Sequence, residues 1–317
     1  MLKVGQISYV NVAPFFYFWR DSSIDFIKGP PRYLGQLARN GQIDLAPLPV
    51  FDGFLLEETF EPLGNFGIAA TGPVMSVFLF SKKRIEQLDH AVVLLTAESS
   101  TSVSLVALLL KEKYRLSDIR FVTDSHNLMQ NRNNTDSFYV GQSNTGVQGF
   151  APVEKFNKLF KASRQDNVVR PSSDIDISGI RNSRSDEPDA VLLIGDKALE
   201  EAENSVKWPY KYDLAELWHN WTSLPFTFAR WVVRKSLADG DKKRLSRMLS
   251  ENLEHAFSNL EEISAGESAR TGMRKETIST YLRNFTFRLG SPEEEGIALF
   301  KSKLSKCGLL QDIQNDR

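Results

Sequence analysis

Ile24-Asp25-Phe26-Ile27-Lys28-Gly29-Pro30-Pro31-Arg32-Tyr33-Leu34-Gly35-Gln36-Leu37-Ala38-Arg39-Asn40-Gly41-Gln42-Ile43-Asp44-Leu45-Ala46-Pro47-Leu48 reads as strand, helix and strand in one short run. Ile24 to Ile27 forms the first strand, which Gly29-Pro30-Pro31 ends. Arg32 to Arg39 follows as an amphipathic helix with Tyr33, Leu34 and Leu37 on one face. Asn40-Gly41 closes that helix, and Ile43 to Leu48 is the next strand. Upstream, Lys3 to Tyr9 alternates apolar and polar residues and stops at Asn11 and Pro14. Strand, helix and strand at this spacing predict right-handed crossovers and a mainly parallel sheet.

Working outward, Gly64 to Ala70 and Val74 to Phe80 read as strands split by Thr71-Gly72-Pro73. A second unit opens with the buried-strand run Val92 to Thr96, then Ser99-Ser100-Thr101-Ser102, a helix from Val103 to Tyr114, and a strand from Ile119 to Thr123. From Asp124 to Pro188 the chain turns loop-like, with a hint of one short helix at Phe150, Phe156, Leu159 and Phe160; it reads as an insertion. Order resumes with Ala190 to Ile194, then Gly195-Asp196 and a helix. Phe226 to Val233 is a strand, and the remainder reads as helical, with helices at Ser246 to Ile263, Glu276 to Leu282 and Pro292 to Ser305. The expected fold class is therefore α/β with two lobes, each a mostly parallel sheet flanked by helices. Residues 1–81 and 224–317 form lobe 1, and residues 82–223 form lobe 2, with the insertion at about 124–188 inside it. A chain that crosses twice between lobes makes a cleft with a two-stranded hinge, and such clefts bind small ligands.

Composition narrows the partners. The chain has 317 residues, 39 Lys plus Arg against 40 Asp plus Glu, and a net charge of -1. A nucleic-acid partner needs a basic surplus, so none is expected. A single Cys307 excludes an internal disulfide and any cysteine zinc cluster, and the four scattered histidines make no metal box. Gly-rich dinucleotide and phosphate-loop fingerprints are absent. The longest apolar runs are too short to span a bilayer. The start, Met1-Leu2-Lys3-Val4-Gly5-Gln6-Ile7-Ser8, runs straight into a strand pattern rather than a secretory leader. A cytoplasmic protein without a membrane partner is the expectation, and nothing points to an oligomeric state.

Candidate chemistry sits at the ends of strands, where open α/β sheets bind ligands. Ser8-Tyr9-Val10-Asn11 follows the first strand, and Asn11 either binds a ligand hydroxyl or carboxylate or makes a turn before Pro14. Ser76 lies beside the Gly72-Pro73 turn and lacks the flanking glycines of a hydrolase nucleophile elbow. Ser99, Ser100, Thr101 and Ser102 supply four hydroxyls where helix capping needs one. The stretch either caps a buried helix or forms an anion site at the helix N-terminus. Asp196, after Gly195, either caps its helix or points into the cleft. Trp218, Trp221, Pro225, Phe226 and Phe228 cluster at the return hinge, as core or as ligand platform.

Several segments together resemble the chorismate dehydratases of the futalosine route to menaquinone. Ile7-Ser8-Tyr9-Val10-Asn11-Val12-Ala13-Pro14-Phe15 is similar to the SYLNxxPF opening of that family. Gly72-Pro73-Val74-Met75-Ser76-Val77 resembles its GPVxSV strand, and Leu95-Thr96-Ala97-Glu98-Ser99-Ser100-Thr101-Ser102-Val103 its LTxxSxTSV turn. Leu192-Leu193-Ile194-Gly195-Asp196-Lys197-Ala198-Leu199 resembles LLIGDxAL, and Tyr212-Asp213-Leu214 through Trp221-Thr222-Ser223-Leu224-Pro225-Phe226 resembles YDLGxEW…WTxLPF. The resemblance implies a periplasmic-binding-protein type II-like fold used as a cytoplasmic hydro-lyase. The implied reaction eliminates water from chorismate, a small dianionic substrate, to give 3-[(1-carboxyvinyl)oxy]benzoate, with the substrate's own carboxylate as base. It implies neither a metal nor a cofactor, which fits the absence of Gly-rich dinucleotide and phosphate-loop fingerprints. It implies Asn11 and Ser76 as the catalytic pair. Ser8, Tyr9, Ser99, Ser100, Thr101, Ser102, Gly195, Asp196, Pro225 and Phe226 are implied as substrate contacts. The chain departs from the pattern at Leu45-Ala46-Pro47-Leu48-Pro49-Val50, where relatives often carry a Ser-containing turn, and at Arg230, where an apolar residue is common. The alternatives are a cytoplasmic solute-binding protein for a small carboxylate, and the related dihydroxynaphthoate synthase, whose catalytic His has no matching motif here.

Overall fold

The computed structural model describes residues 1–123 and 187–310. The expected insertion, with its short helix, lies outside them apart from Glu187 and Pro188. The chain begins with β1 (Leu2–Gln6), a 3-10 turn at Val10–Val12, α1 (Ala13–Phe16), β2 (Ile24–Lys28), α2 (Pro31–Arg39), β3 (Leu45–Pro49), α3 (Val50–Leu55) and β4 (Phe60–Ala70). Next come β5 (Val77–Ser81), β6 (Val92–Leu95), α4 (Ser100–Leu108), a π-helical turn at Leu109–Lys113, β7 (Arg120–Thr123), β8 (Ala190–Ile194), α5 (Gly195–Asn204), β9 (Tyr210–Asp213) and α6 (Leu214–Thr222). The return runs through β10 (Phe226–Arg234), α7 (Asp239–Ser258), α8 (Leu260–Thr271), α9 (Lys275–Arg283), β11 (Thr286–Arg288) and α10 (Ser291–Lys306). No helix among the described residues is long and apolar enough to cross a membrane.

Two sheets result, one of six strands in the order β11-β4-β10-β3-β1-β2 and one of five in the order β7-β6-β8-β5-β9. Both are mixed, where mostly parallel sheets are expected from the sequence. β1 is parallel to β2 and β3, and β6 is parallel to β7 and β8. β10 is antiparallel to β3 and β4, and β5 to β8 and β9. The reason is the crossing itself. β4 carries the chain out of the first sheet and β10 brings it back, so two neighbours must run in opposite directions. Phe226 pairs with Ala70, which sets the outgoing and returning segments side by side.

Val77–Ser81 pairs with β8 and β9, so the chain passes from the first sheet to the second within residues 71–76. The C-terminal part is not helical throughout, because Thr286 pairs with Ala69 and Arg288 with Phe66 on β4. A three-residue strand is too short to register a period of two; docking on the edge of β4 makes it a strand. The helix expected over Ser246 to Ile263 is two helices, broken at Asn259, where φ is -128° and ψ 34°.

The core under the first sheet centres on Trp231 of β10, which is fully buried. Its ring meets Phe15 at 5.3 Å, Phe16 at 5.4 Å and Trp19 at 6.1 Å. These are the aromatics that follow the first strand, so the core also holds the Val10–Val12 turn against the sheet. Trp231→Ala is expected to lower unfolding stability by about 3–5 kcal/mol, the range for emptying a large aromatic site. Trp231→Phe should lose much less, since the indole N–H it removes has no partner. Urea unfolding of both variants measures this.

Candidate active site between the two sheets

The strand directions place every polar candidate at one seam. The C-terminal ends of β1, β3 and β4 and the start of β10 share one edge of the first sheet. The C-terminal ends of β6, β8 and β9 and the start of β5 share one edge of the second. Between these edges lies a cavity with about 490 Å³ of unfilled space, part of it open to solvent. Ile7, Ile68, Val74, Val77, Ile194 and Phe228 give it apolar walls, and Tyr9, Asn11, Ser76, Ser99, Ser102 and the Gly195 backbone supply its polar groups. Among the described residues, none of its lining side chains is cationic.

Ser76 is held by a strained turn. Met75 adopts a φ of 64°, a left-handed conformation that a residue with a side chain reaches only at a cost. The Met75 N–H donates to Asp213 Oδ2 at 2.7 Å. Asp213 also caps α6, accepting from the N–H groups of Ala215 and Glu216 at 3.0 and 3.2 Å. Burial raises the Asp213 pKa, and the backbone N–H groups around the carboxylate oppose that rise. From the other side, the Ser76 carbonyl accepts the Gly195 N–H at 2.8 Å. The Ser76 hydroxyl and Asn11 Oδ1 are buried without a hydrogen-bond partner among the described residues. Buried polar groups are nearly always satisfied, so two such atoms lining one cavity mark a place for a polar ligand.

Two helix N-termini open at the same cavity. At α4, Ser99 is the N-cap and its hydroxyl oxygen accepts the Ser102 N–H at 3.1 Å. The Ser99 hydroxyl donates to Ser102 Oγ at 3.1 Å. Ser100 and Thr101 point the other way and join the sheets. Ser100 Oγ donates to Asp52 Oδ2 at 2.9 Å, and Thr101 Oγ1 accepts the Phe51 N–H at 3.1 Å. At α5, Gly195 has a φ of 63°, and a Cβ there would stand 3.1–3.2 Å from the Tyr9 ring. The position therefore demands glycine both for its conformation and for its contact. Tyr9 donates its hydroxyl proton to Glu98 Oε2 at 2.6 Å, and Lys197 pairs with Glu98 at 3.1 Å.

Of the twelve candidate residues, Tyr9, Asn11, Ser76, Ser99, Ser102 and Gly195 line the cavity. The other six do not. Ser8 is exposed, and Ser100 and Thr101 are spent on α3 as described. Asp196 neither caps α5 nor enters the cavity. It accepts the Val10 N–H at 3.2 Å and pairs with Arg270 at 3.2 Å, which ties the second sheet's helix to the first sheet's turn. The Pro225 carbonyl accepts the Trp218 indole N–H at 3.2 Å. Phe226 is buried against Trp218 and Phe300 at 5.3 and 5.0 Å. Periodicity cannot tell which face of a turn meets the cleft, and these residues lie within one to three positions of those that do.

Phe228 is the reverse case. A β-bulge between Thr227 and Ala229 leaves it as the extra residue of β10 and turns it to the cavity. Of the two departures, Pro49 lines the cavity, whereas Arg230 pairs with Glu294 of α10 at 2.6 Å and is not among the lining residues. His90, His219 and His255 do not line it, and His126 lies outside the described residues.

A family model described as menaquinone biosynthesis matches residues 2–140 and 159–306. The chain belongs to that family. A curated relative, the chorismate dehydratase of Thermus thermophilus, is 27% identical over 315 residues, covering 95% of this chain and 94% of the relative. Among solved structures, an Archaeoglobus fulgidus protein superposes with a TM-score of 0.67 at 14% identity, covering 98% of each chain. A Candida albicans gene product with the generic periplasmic-binding-protein fold reaches 0.59 at 13% identity, covering 98% of this chain and 90% of that one. The aliphatic sulphonate binding protein of Escherichia coli reaches 0.54 at 14% identity over 96% and 85%. This menaquinone-biosynthesis family member thus has the periplasmic-binding-protein fold expected from its motifs.

The Asp52 carboxyl that receives Ser100 behaves differently from an ordinary carboxylate. Burial pushes its pKa up to about 6, against the pull of Ser100, Arg39 and Arg32. Burial also lowers the pKa of Arg32, to about 10. A carboxyl whose folded pKa exceeds its unfolded value favours the folded state while protonated. That contribution is full below about pH 3.8 and is lost as pH rises through about 6. Asp52→Asn should therefore gain stability relative to wild type between pH 4 and 7, by up to roughly 3 kcal/mol. Urea midpoints of both proteins across that range test the sign, and a gap that does not widen with pH refutes the burial argument.

Proposed function

We propose that the protein is a chorismate dehydratase, a hydro-lyase that converts chorismate to 3-[(1-carboxyvinyl)oxy]benzoate and water in menaquinone biosynthesis. The observation that carries this reading is the pair of unpartnered buried oxygens, Asn11 Oδ1 and Ser76 Oγ, facing one cavity from the two sheets. Family membership and the curated relative support it. The elimination removes the ring C3 proton and the C4 hydroxyl. The electron pair of the C3–H bond becomes the new ring double bond as the C4–O bond breaks, and the ring becomes aromatic. The substrate's own side-chain carboxylate takes the proton, which leaves with the hydroxyl as water. Among the described residues no His, Asp, Glu or Lys lines the cavity, in keeping with a base supplied by the substrate.

The protein's share is then orientation and charge placement. Holding the reacting groups in position contributes up to about 7–11 kcal/mol in well-oriented systems. The Ser76 hydroxyl donates to the departing hydroxyl oxygen, where negative charge builds up, and Asn11 Oδ1 accepts from the O–H of that hydroxyl and fixes its direction. The N-termini of α4 and α5 border the cavity through Ser99, Ser102 and Gly195, and the positive ends of their dipoles favour a dianion without a cationic side chain. Apolar walls from both sheets accept the flat product. We assign the two sheets to two lobes that part at residues 71–76 and 223–225 to admit the substrate, in a cytoplasmic protein with neither nucleic-acid nor membrane partners.

Purified protein incubated with chorismate should accumulate the aromatic enol ether, followed by absorbance and chromatography. Absence of product from the wild type overturns the reading, and chorismate binding without turnover favours a solute-binding protein instead. Ser76→Ala should lower kcat by about 10²–10³, the loss seen when one stabilising donor is removed, and Asn11→Ala, which frees the departing hydroxyl to turn, should lower it at least about tenfold. Wild-type turnover in both would remove them from the mechanism.

A further inference from the structure

Tyr281 of α9 is completely buried, packed edge-on against Phe285 at a centroid distance of 4.9 Å. Its hydroxyl oxygen and the Ser76 hydroxyl are both buried without a hydrogen-bond partner among the described residues, and the two are near enough for Ser76 to influence the Tyr281 phenol. Phenylalanine would fill the same space without placing a hydroxyl in the dry interior, where an unpaired one costs about 1–3 kcal/mol. The placement is also built. Asn284 Nδ2, just beyond the end of α9, contacts Met75 Sδ at 3.1 Å and so ties the helix to the strained turn that presents Ser76. α9 also packs on the Val10–Val12 turn that carries Asn11.

We propose that Tyr281 is a positioning residue for the dehydration, donating its O–H to Ser76 Oγ so that the Ser76 proton turns toward the departing hydroxyl. The inference rests on the dehydratase reading. A serine hydroxyl has one proton and two lone pairs and rotates freely. A donor placed behind it occupies a lone pair, fixes the direction of its proton and strengthens it as a donor. Tyr281 suits the task because burial raises its pKa far above the ordinary phenol value, so it stays protonated at any working pH.

Tyr281→Phe removes one oxygen and no packing. It should lower kcat about tenfold, the size of one hydrogen bond, with KM within about twofold of wild type. Its urea midpoint should stay close to that of wild type, because the ring that fills the buried site is kept. In a Ser76→Ala background the same change should leave turnover where Ser76→Ala alone puts it. Wild-type kcat in Tyr281→Phe, a lowered urea midpoint that accounts for the loss, or a further tenfold loss in the Ser76→Ala background would each overturn the assignment. Failure of the wild type to produce any aromatic enol ether would instead sink the dehydratase reading itself.

Discussion

Everything in this molecule depends on the antiparallel ladder between β4 and β10. That ladder sets the outgoing and returning crossings next to each other, with Phe226 opposite Ala70. It also fixes which ends of the strands meet. With β4 leaving the first sheet and β10 entering it at the same edge, β1 and β3 must end there too. The second sheet answers with the ends of β6, β8 and β9. The cavity is the gap between two such edges, and its polar groups are whatever residues happen to follow a strand.

The electrostatics of the gap are unusual for a site that would hold an anion. Charged side chains stand around it rather than in it. Glu98 ties Tyr9 to Lys197, and Asp196 ties Val10 to Arg270. Asp213 pins the Met75 turn, and Asp52 receives Ser100. These ionisable groups organise backbone and joints, leaving the interior to hydroxyls, one amide and helix ends. Preformed dipoles of this kind keep their orientation as charge moves, which mobile cationic side chains do less well.

Much of this was legible in the residues. The strand-helix-strand reading of the first half survives with small changes in boundaries, because period and breakers are local properties. Asn11, Ser76 and the Ser99 cap, which motif resemblance singles out, do line the cavity. Phe228 could not be told from Phe226. Both are aromatic residues of one strand, and only the bulge at Thr227–Ala229 separates core from cavity. Asp196 and Ser100 were placed in the right region with the wrong task, since their partners, Val10 and Asp52, come from the opposite sheet. Tyr281 carried no signal at all: a tyrosine on an amphipathic helix reads as core, and its meaning arises only beside Ser76.

The sequence by itself determined the α/β class and the strand ends beyond which the cavity-lining residues Asn11 and Ser99 stand. Those follow from local periodicity, turn residues and the rule that strand ends face ligands. Only the tertiary structure decided that the sheets are mixed, that the C-terminal part contributes an edge strand, and which hydroxyls face the cavity rather than a neighbouring helix. Each of those outcomes depends on contacts between segments far apart in the chain, whose geometry no local pattern encodes.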